Sequence, residues 1–219
     1  MSVKRRYRKL CVRLSNIPVV GWMAKRLAML GMPPHHGLWP LASMASKGFS
    51  VPTARISHER LSQGQHCFLG DQTLIFGEKD SGEIQLGDGV HLHQRTTLQT
   101  GQEGSIRIGG GTHIQPDCLL SGYKGDITIG ENVEIAPRCA IYSYNHQFAA
   151  GRSIREQPIT SGGGVVIEDD VWLGVGVILL DGSRVGAGAV IAAGSVVNST
   201  IPANGIAAGN PARLIGMRS

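Results

Sequence analysis

A chain of 219 residues is long enough for one full domain with an extension and for a real buried core. Its 31 glycines, beside only 5% aromatics, would suggest disorder if they were unperiodic; here they recur at regular intervals between Val, Ile and Leu, which points to a repeat architecture. The formal charge of +5 is divided, because ten Lys and Arg and no acidic residue precede Glu59, leaving eleven basic against sixteen acidic residues beyond it. A basic arm on an acidic body speaks of partners rather than of fold. Cys11, Cys67, Cys118 and Cys139 match neither a CxxC zinc site nor a dense disulfide framework. The first apolar stretch is broken by Arg13 and has no clean signal-peptide core, and no run of about 18 apolar residues suits a membrane span. The expected compartment is a reducing cytoplasm.

Residues 3–14 read as a helix, with Tyr7, Leu10, Cys11 and Leu14 on one face and Lys4, Arg5, Arg8 and Lys9 elsewhere. Asn16-Ile17-Pro18 breaks it. A second helical stretch runs from Val19 to Leu30, carries Trp22 and Leu27, and can close on Gly31. Pro33-Pro34 and Pro40 then predict a loop. A basic amphipathic helix with a tryptophan suits an anionic membrane surface, so peripheral contact at the inner face of the membrane is one expectation for the arm. Packing against the body or a neighbouring subunit is the other. Only Tyr7 and Trp22 interleave with the cations and no binding module is present, so nucleic acid is not expected as a partner.

Beyond the arm, every sixth residue from 167 is aliphatic: Ile167, Leu173, Leu179, Val185, Ile191 and Val197. Shorter runs share the spacing, namely Leu86, Leu92, Leu98; Ile108, Ile114, Leu120; and Ile129, Ile135, Ile141. A helix would need spacings of 3 and 4. Three six-residue units make an 18-residue coil with three flat faces and one inward aliphatic on each, every short strand pairing with the coil above at ~4.8 Å. Ile129 to Ile167 spans 38 residues, so 20 extra residues leave the prism between Ile141 and Ile167. Long insertions in compact domains are usually functional. His91, His113, Glu134 and Trp172 each occupy the sixth place of a unit and should form one column. That column reads as a stacked polar rim, with an acceptor site or a metal pair as alternatives. Cys118 and Cys139 share another column and read as packing.

Units such as Ile129-Gly130-Glu131-Asn132-Val133-Glu134 and Val185-Gly186-Ala187-Gly188-Ala189-Val190 resemble the hexapeptide-repeat acyltransferases. The stretch from Ile141 to Gly216 looks most like the galactoside, maltose and polysaccharide O-acetyltransferase branch. The resemblance implies a mainly β fold, a left-handed parallel β-helix with an N-terminal helical extension. It divides the chain into a basic helical arm (1–50), the β-helix (51–205) with a catalytic loop (142–165), and a closing segment (206–219). It implies acetyl-CoA as co-substrate, a homotrimer with active sites between subunits, and acetyl transfer to a sugar hydroxyl in polysaccharide or lipopolysaccharide biosynthesis.

Within Ile141-Tyr142-Ser143-Tyr144-Asn145-His146, His146 matches the family's catalytic histidine. Chemistry agrees, since a neutral imidazole can take the proton of an alcohol as it attacks a thioester. Glu156 either orients His146 or is a solvated loop charge. Asn145 either contacts the acceptor or holds the loop. No cysteine lies in the loop to carry an acyl group, so direct transfer is expected. The resemblance places Trp172, Gly174, Ala192 and Ala193 along the CoA groove and Arg213, within Asn210-Pro211-Ala212-Arg213, near a CoA phosphate. The chain departs from the family at Asn198-Ser199-Thr200, where a basic residue is common, so a phosphate contact would fall to Arg184 or Arg213. No metal is expected. An antibiotic acetyltransferase, a non-catalytic hexapeptide scaffold, and a metal-dependent carbonic anhydrase built from His91, His113 and His146 are the rival readings.

Overall fold

The computed structural model describes residues 3–15, 17 and 20–219. Asn16 and Pro18, which should break the first helix, and Val19, which should begin the second, lie outside the described residues.

Among the described residues, three sheets of nine, seven and seven short strands form the faces of a prism, all parallel except the last pair of the nine-stranded sheet. This is the architecture expected of the left-handed parallel β-helix. Each face is a column of stacked coils. On one, Leu86 pairs with Ile108, Ile108 with Ile129, Ile129 with Ile167, and Ile167 with Val185. Leu92, Ile114, Ile135, Leu173 and Ile191 stack on the second, and Leu98, Leu120, Ile141, Leu179 and Val197 on the third. All of these side chains are buried in one continuous core. The period of six follows from this: one residue per unit points to the axis, and the corner between units returns the chain to the next face.

The corner needs a left-handed backbone. Gly176 and Gly194 adopt it with φ of 69° and 70°, but Arg95, Asp117 and Arg138 hold the same corner in earlier coils at φ 57°, 65° and 65°. A side chain in that region is strained. Arg95 and Asp117 offset some of this by pairing across the coil step at 2.6 Å. The smallness of the residue after the aliphatic has a steric cause. A Cβ on Gly174 would stand 2.6 Å from the Ala193 nitrogen, so the coils could not approach. Cys118 and Cys139 are buried, and each thiol points to a carbonyl of the following coil, Ala136 O and Gly174 O, both at 3.3 Å. The Cys139 thiol and burial together hold Cys118 well above the usual thiol range, so it stays a packing group.

The ends of the solenoid are covered. α1 (Val3–Leu14) and α2 (Gly21–Met29) are followed by a 3-10 helix, His35–Met44, where a proline-rich loop was expected. The helix wins because it sinks Leu38, Leu41 and Ala42 against Phe49 and Phe68 of the first coils, which a solvated loop would leave open. Cys11, Val12 and Ala28 complete this second core. The arm therefore packs on the prism as a capping unit, as a stack of repeats requires at its ends. At the other end, Gly205–Gly209 and Ala212–Met217 form an antiparallel hairpin.

Candidate functional site

The chain leaves the prism after Ala140–Tyr142 and re-enters it at Val165–Ile167. The excursion is an arm with its own pairing. Asn145–His146 runs antiparallel to Ile159–Thr160, with His146 opposite Ile159. At its tip Gln157 is buried and works as a clasp: its Oε1 accepts from Ala149 N at 2.7 Å, and its Nε2 donates to Ala149 O and Arg152 O. At its base Ser143, also buried, donates to Gly125 O at 2.6 Å and accepts from Tyr123 N.

Asp181, one coil on, anchors the arm on both sides. Its Oδ2 accepts from Asn145 Nδ2 at 3.1 Å, and its Oδ1 accepts from Ser161 Oγ and Gly164 N, both at 2.9 Å. It also takes the Gly162 N–H. One carboxylate thus joins the residue beside His146 to the returning strand. A carboxylate accepting several N–H donors is among the stronger neutral-to-charged arrangements in a protein. The only cue in the sequence is the Ser161-Gly162-Gly163-Gly164 run, whose free N–H groups need an acceptor.

His146 itself is exposed, and its ring lies 6.4 Å from that of Tyr144, which also meets the rings of Tyr142 at 5.9 Å and Tyr123 at 5.4 Å. Glu156 ends the short 3-10 turn Ile154–Glu156 and is exposed. Among the described residues no hydrogen bond or ion pair joins it to His146. Asn145 is tied to Asp181, which favours a loop-holding role over a free acceptor contact.

The residues assigned to the CoA groove follow a different face, the nine-stranded sheet, whereas the arm leaves Ala140–Tyr142 of a seven-stranded one. Trp172 is 54% exposed, stands between Glu134 and Val190, and lines a groove of ≈ 510 Å³ with Asn132, Asp170 and Arg218. Arg218 pairs with Asp170 at 3.1 Å on the groove wall. Ala192 is half-buried and Ala193 exposed, while Gly174 is already required by coil stacking. Arg213 and Arg184 are exposed, and the Arg213 guanidinium donates to Ala212 O. Within one chain no described contact joins His146 to Trp172 or Arg213.

The predicted column exists. His91 pairs with His113, His113 with Glu134, and Glu134 with Trp172. The His91 and His113 rings stack at 4.4 Å and 7°, and His113 Nδ1 meets Glu134 Oε1 at 3.2 Å. It is not a rim at its upper end, since Trp39 of the cap covers His91 at 5.2 Å. His93, which the repeat pattern did not single out, is buried beside it under His36 of the cap, at 4.6 Å. Among the described residues no three His, Cys, Asp or Glu side chains are placed to share a metal, and His146 makes no contact with this group. Burial, then the charge of His113, holds His91 down to about 4. Burial, then His36, His91 and His113, holds His93 down to about 3.

Both are therefore neutral when folded and take up protons when unfolded below about 6.5. Stability should fall as pH drops from 6.5 and level off only below about 4 and 3. The melting temperature of the wild type should decline more steeply over that window than that of a His91→Gln, His93→Gln double variant. Parallel declines would remove the pair from the acid response.

A family model described as bacterial transferase hexapeptide (six repeats) matches residues 164–199. A comparison with curated proteins finds no match. Among solved structures, AntD, an N-acyltransferase from Bacillus cereus in complex with dTDP and 3-hydroxybutyryl-CoA, superimposes with a TM-score of 0.59 at 18% identity, over 82% of this chain and 87% of that one. A hexapeptide-repeat-containing acetyltransferase, VCA0836 from Vibrio cholerae O1 biovar eltor, complexed with acetyl coenzyme A, gives 0.52 at 23% identity, over 99% and 87%. The chain thus matches the bacterial transferase hexapeptide repeat at 164–199, and its stacked coils share the fold of these two structures.

Proposed function

We propose that the protein is an acetyl-CoA-dependent acyltransferase that moves an acetyl group onto a sugar hydroxyl, in polysaccharide or lipopolysaccharide assembly, with His146 as general base. The observation that carries the proposal is the anchored arm: a solvent-facing imidazole held on a two-stranded projection by Asp181 and Gln157. A structural loop of this length would need no such fixing, whereas a proton-transfer group must be placed to within hydrogen-bond reach of its substrate. The AntD and VCA0836 structures, solved with acyl-CoA ligands, support CoA as the donor.

In the proposed reaction His146 takes the proton of the acceptor hydroxyl as its oxygen bonds to the thioester carbonyl carbon. The carbon–sulfur bond then breaks, and the proton passes to the departing thiolate. Asn145 holds the arm through Asp181 rather than acting on the acceptor, and Glu156 makes no contact with His146 among the described residues. Trp172, Ala192 and Ala193 would flank the pantetheine, with Gly174 beneath them, and Arg213 would reach a phosphate. No described contact joins His146 to Trp172 within one chain, and the proposal places the completed site between subunits of a homotrimer.

The test is thiol release from acetyl-CoA with a panel of sugars, amino sugars and lipid-linked glycans. Release that depends on a hydroxyl acceptor is expected. Release only with amino sugars would make the enzyme an N-acyltransferase, and no release with any acceptor would leave the scaffold reading in its place.

A further inference from the structure

The two cap helices bury their small residues and expose their large apolar ones. In α1, Cys11 and Val12 face the core, while Val3, Tyr7, Leu10 and Leu14, at i, i+4, i+7 and i+11, form a stripe in solvent. In α2, Gly21, Ala24 and Ala28 are buried, while Trp22, Met23 and Leu27, and Leu30 just beyond its end, are not. Leu10, Trp22, Met23 and Leu30 are 57, 59, 59 and 63% exposed. The sequence face Tyr7, Leu10, Cys11, Leu14 is thus split, only Cys11 turning inward. A helix whose sole task was to cap the prism would turn its leucines inward. Single exposed apolar residues need no explanation, but contiguous stripes on adjacent helices mark a contact surface.

The charges around the stripes share one sign. The helices hold Lys4, Arg5, Arg6, Arg8, Lys9, Arg13, Lys25 and Arg26 and no acidic residue. Cations crowd the first turn of α1, where the helix dipole opposes them, so they do not serve the helix's own stability. Arg8 donates to Leu30 O at 3.2 Å and ties the helices together. The Arg26 guanidinium lies 4.3 Å from the Trp22 ring centroid, at the helix surface.

We propose that this helical pair docks on a membrane surface bearing anionic lipids, with the leucines and Trp22 entering the interface and the flanking cations meeting lipid phosphates. Apolar stripes edged by Lys and Arg, with Trp and Tyr beside them, fit the boundary between headgroups and acyl chains. Charge complementarity selects this occupant over a second copy meeting cap to cap, which would set eight cations against eight. Among the described residues no helix is long and apolar enough to cross a membrane, so the contact is peripheral. The inference stands independently of the acyltransferase reading.

The full chain is co-sedimented with vesicles of phosphatidylcholine alone and of phosphatidylcholine with phosphatidylglycerol. Binding at least about tenfold stronger to the anionic vesicles, and weakened by salt, is expected. Leu10→Gln with Trp22→Gln, and separately Arg6→Gln with Arg13→Gln, should each lower it by about tenfold. All four positions are exposed, and an unchanged melting temperature confirms folding. No binding to either vesicle, equal binding to both, or wild-type binding by the apolar variant overturns the proposal. A fall in subunit number in those variants without vesicles also overturns it, and assigns the stripes to contact between copies.

Discussion

Replacing His146 with alanine should lower acetyl transfer by about 10²–10⁴-fold, the range a positioned general base supplies. The loss should appear in kcat, with the KM for acetyl-CoA little changed, because the imidazole acts on the acceptor hydroxyl. Stability should be unaffected. His146 is exposed on the projecting arm and pairs with Ile159 through its backbone, which alanine preserves. Glu156→Gln is the companion control. Glu156 faces solvent and makes no described contact with His146, so its replacement should change turnover far less. A His146→Ala enzyme with wild-type kcat would remove the residue from the chemistry. An equal loss in Glu156→Gln would show that the two meet across a subunit boundary.

The prism was legible in the sequence because the rule that builds it is local. Each unit sends one aliphatic inward, so a count of six finds Leu173 or Ile191 without knowledge of their partners. Stacking is then arithmetic, and the insertions of each coil correctly align His91, His113, Glu134 and Trp172 across separations of up to 38 residues. What was missed depends on contacts outside the repeat. His93 stands where later coils of the same face carry Gln115, Ala136, Gly174 and Ala192, and only the cap, more than fifty residues earlier, explains its burial under His36. The inward turn of Cys11 and outward turn of Leu10 is invisible to a pattern that scores both as apolar. It follows from the close seat of α1 against the 3-10 helix and first coils, where small side chains fit. Gly174 was legible as small, and the structure adds a steric cause: a Cβ there would stand 2.6 Å from the Ala193 nitrogen of the next coil.

Asp181 gives the second large effect. Asp181→Ala deletes four acceptor contacts at once, those of Asn145, Ser161, Gly162 and Gly164. A hydrogen bond to a charged group contributes about 1.5–3 kcal/mol, but part of this network is solvent-accessible and water can replace it, so the global loss should be small beside the local one. The arm, not the prism, should open. Its few buried contacts are Gln157 at the tip and Ser143 at the base, while the coils on either side keep their ladders. Backbone amides from 145 to 164 should therefore exchange faster in Asp181→Ala than in the wild type, with the prism protected as before. Turnover should fall by about 10²-fold, since a shift of ~1 Å in a catalytic group is enough for that. Asp181→Asn keeps an acceptor oxygen but loses the charge, and should fall between the two. If exchange in the arm rose while kcat stayed at the wild-type value, the arm would be mobile without consequence, and the placement of His146 by Asp181 would carry no catalytic weight.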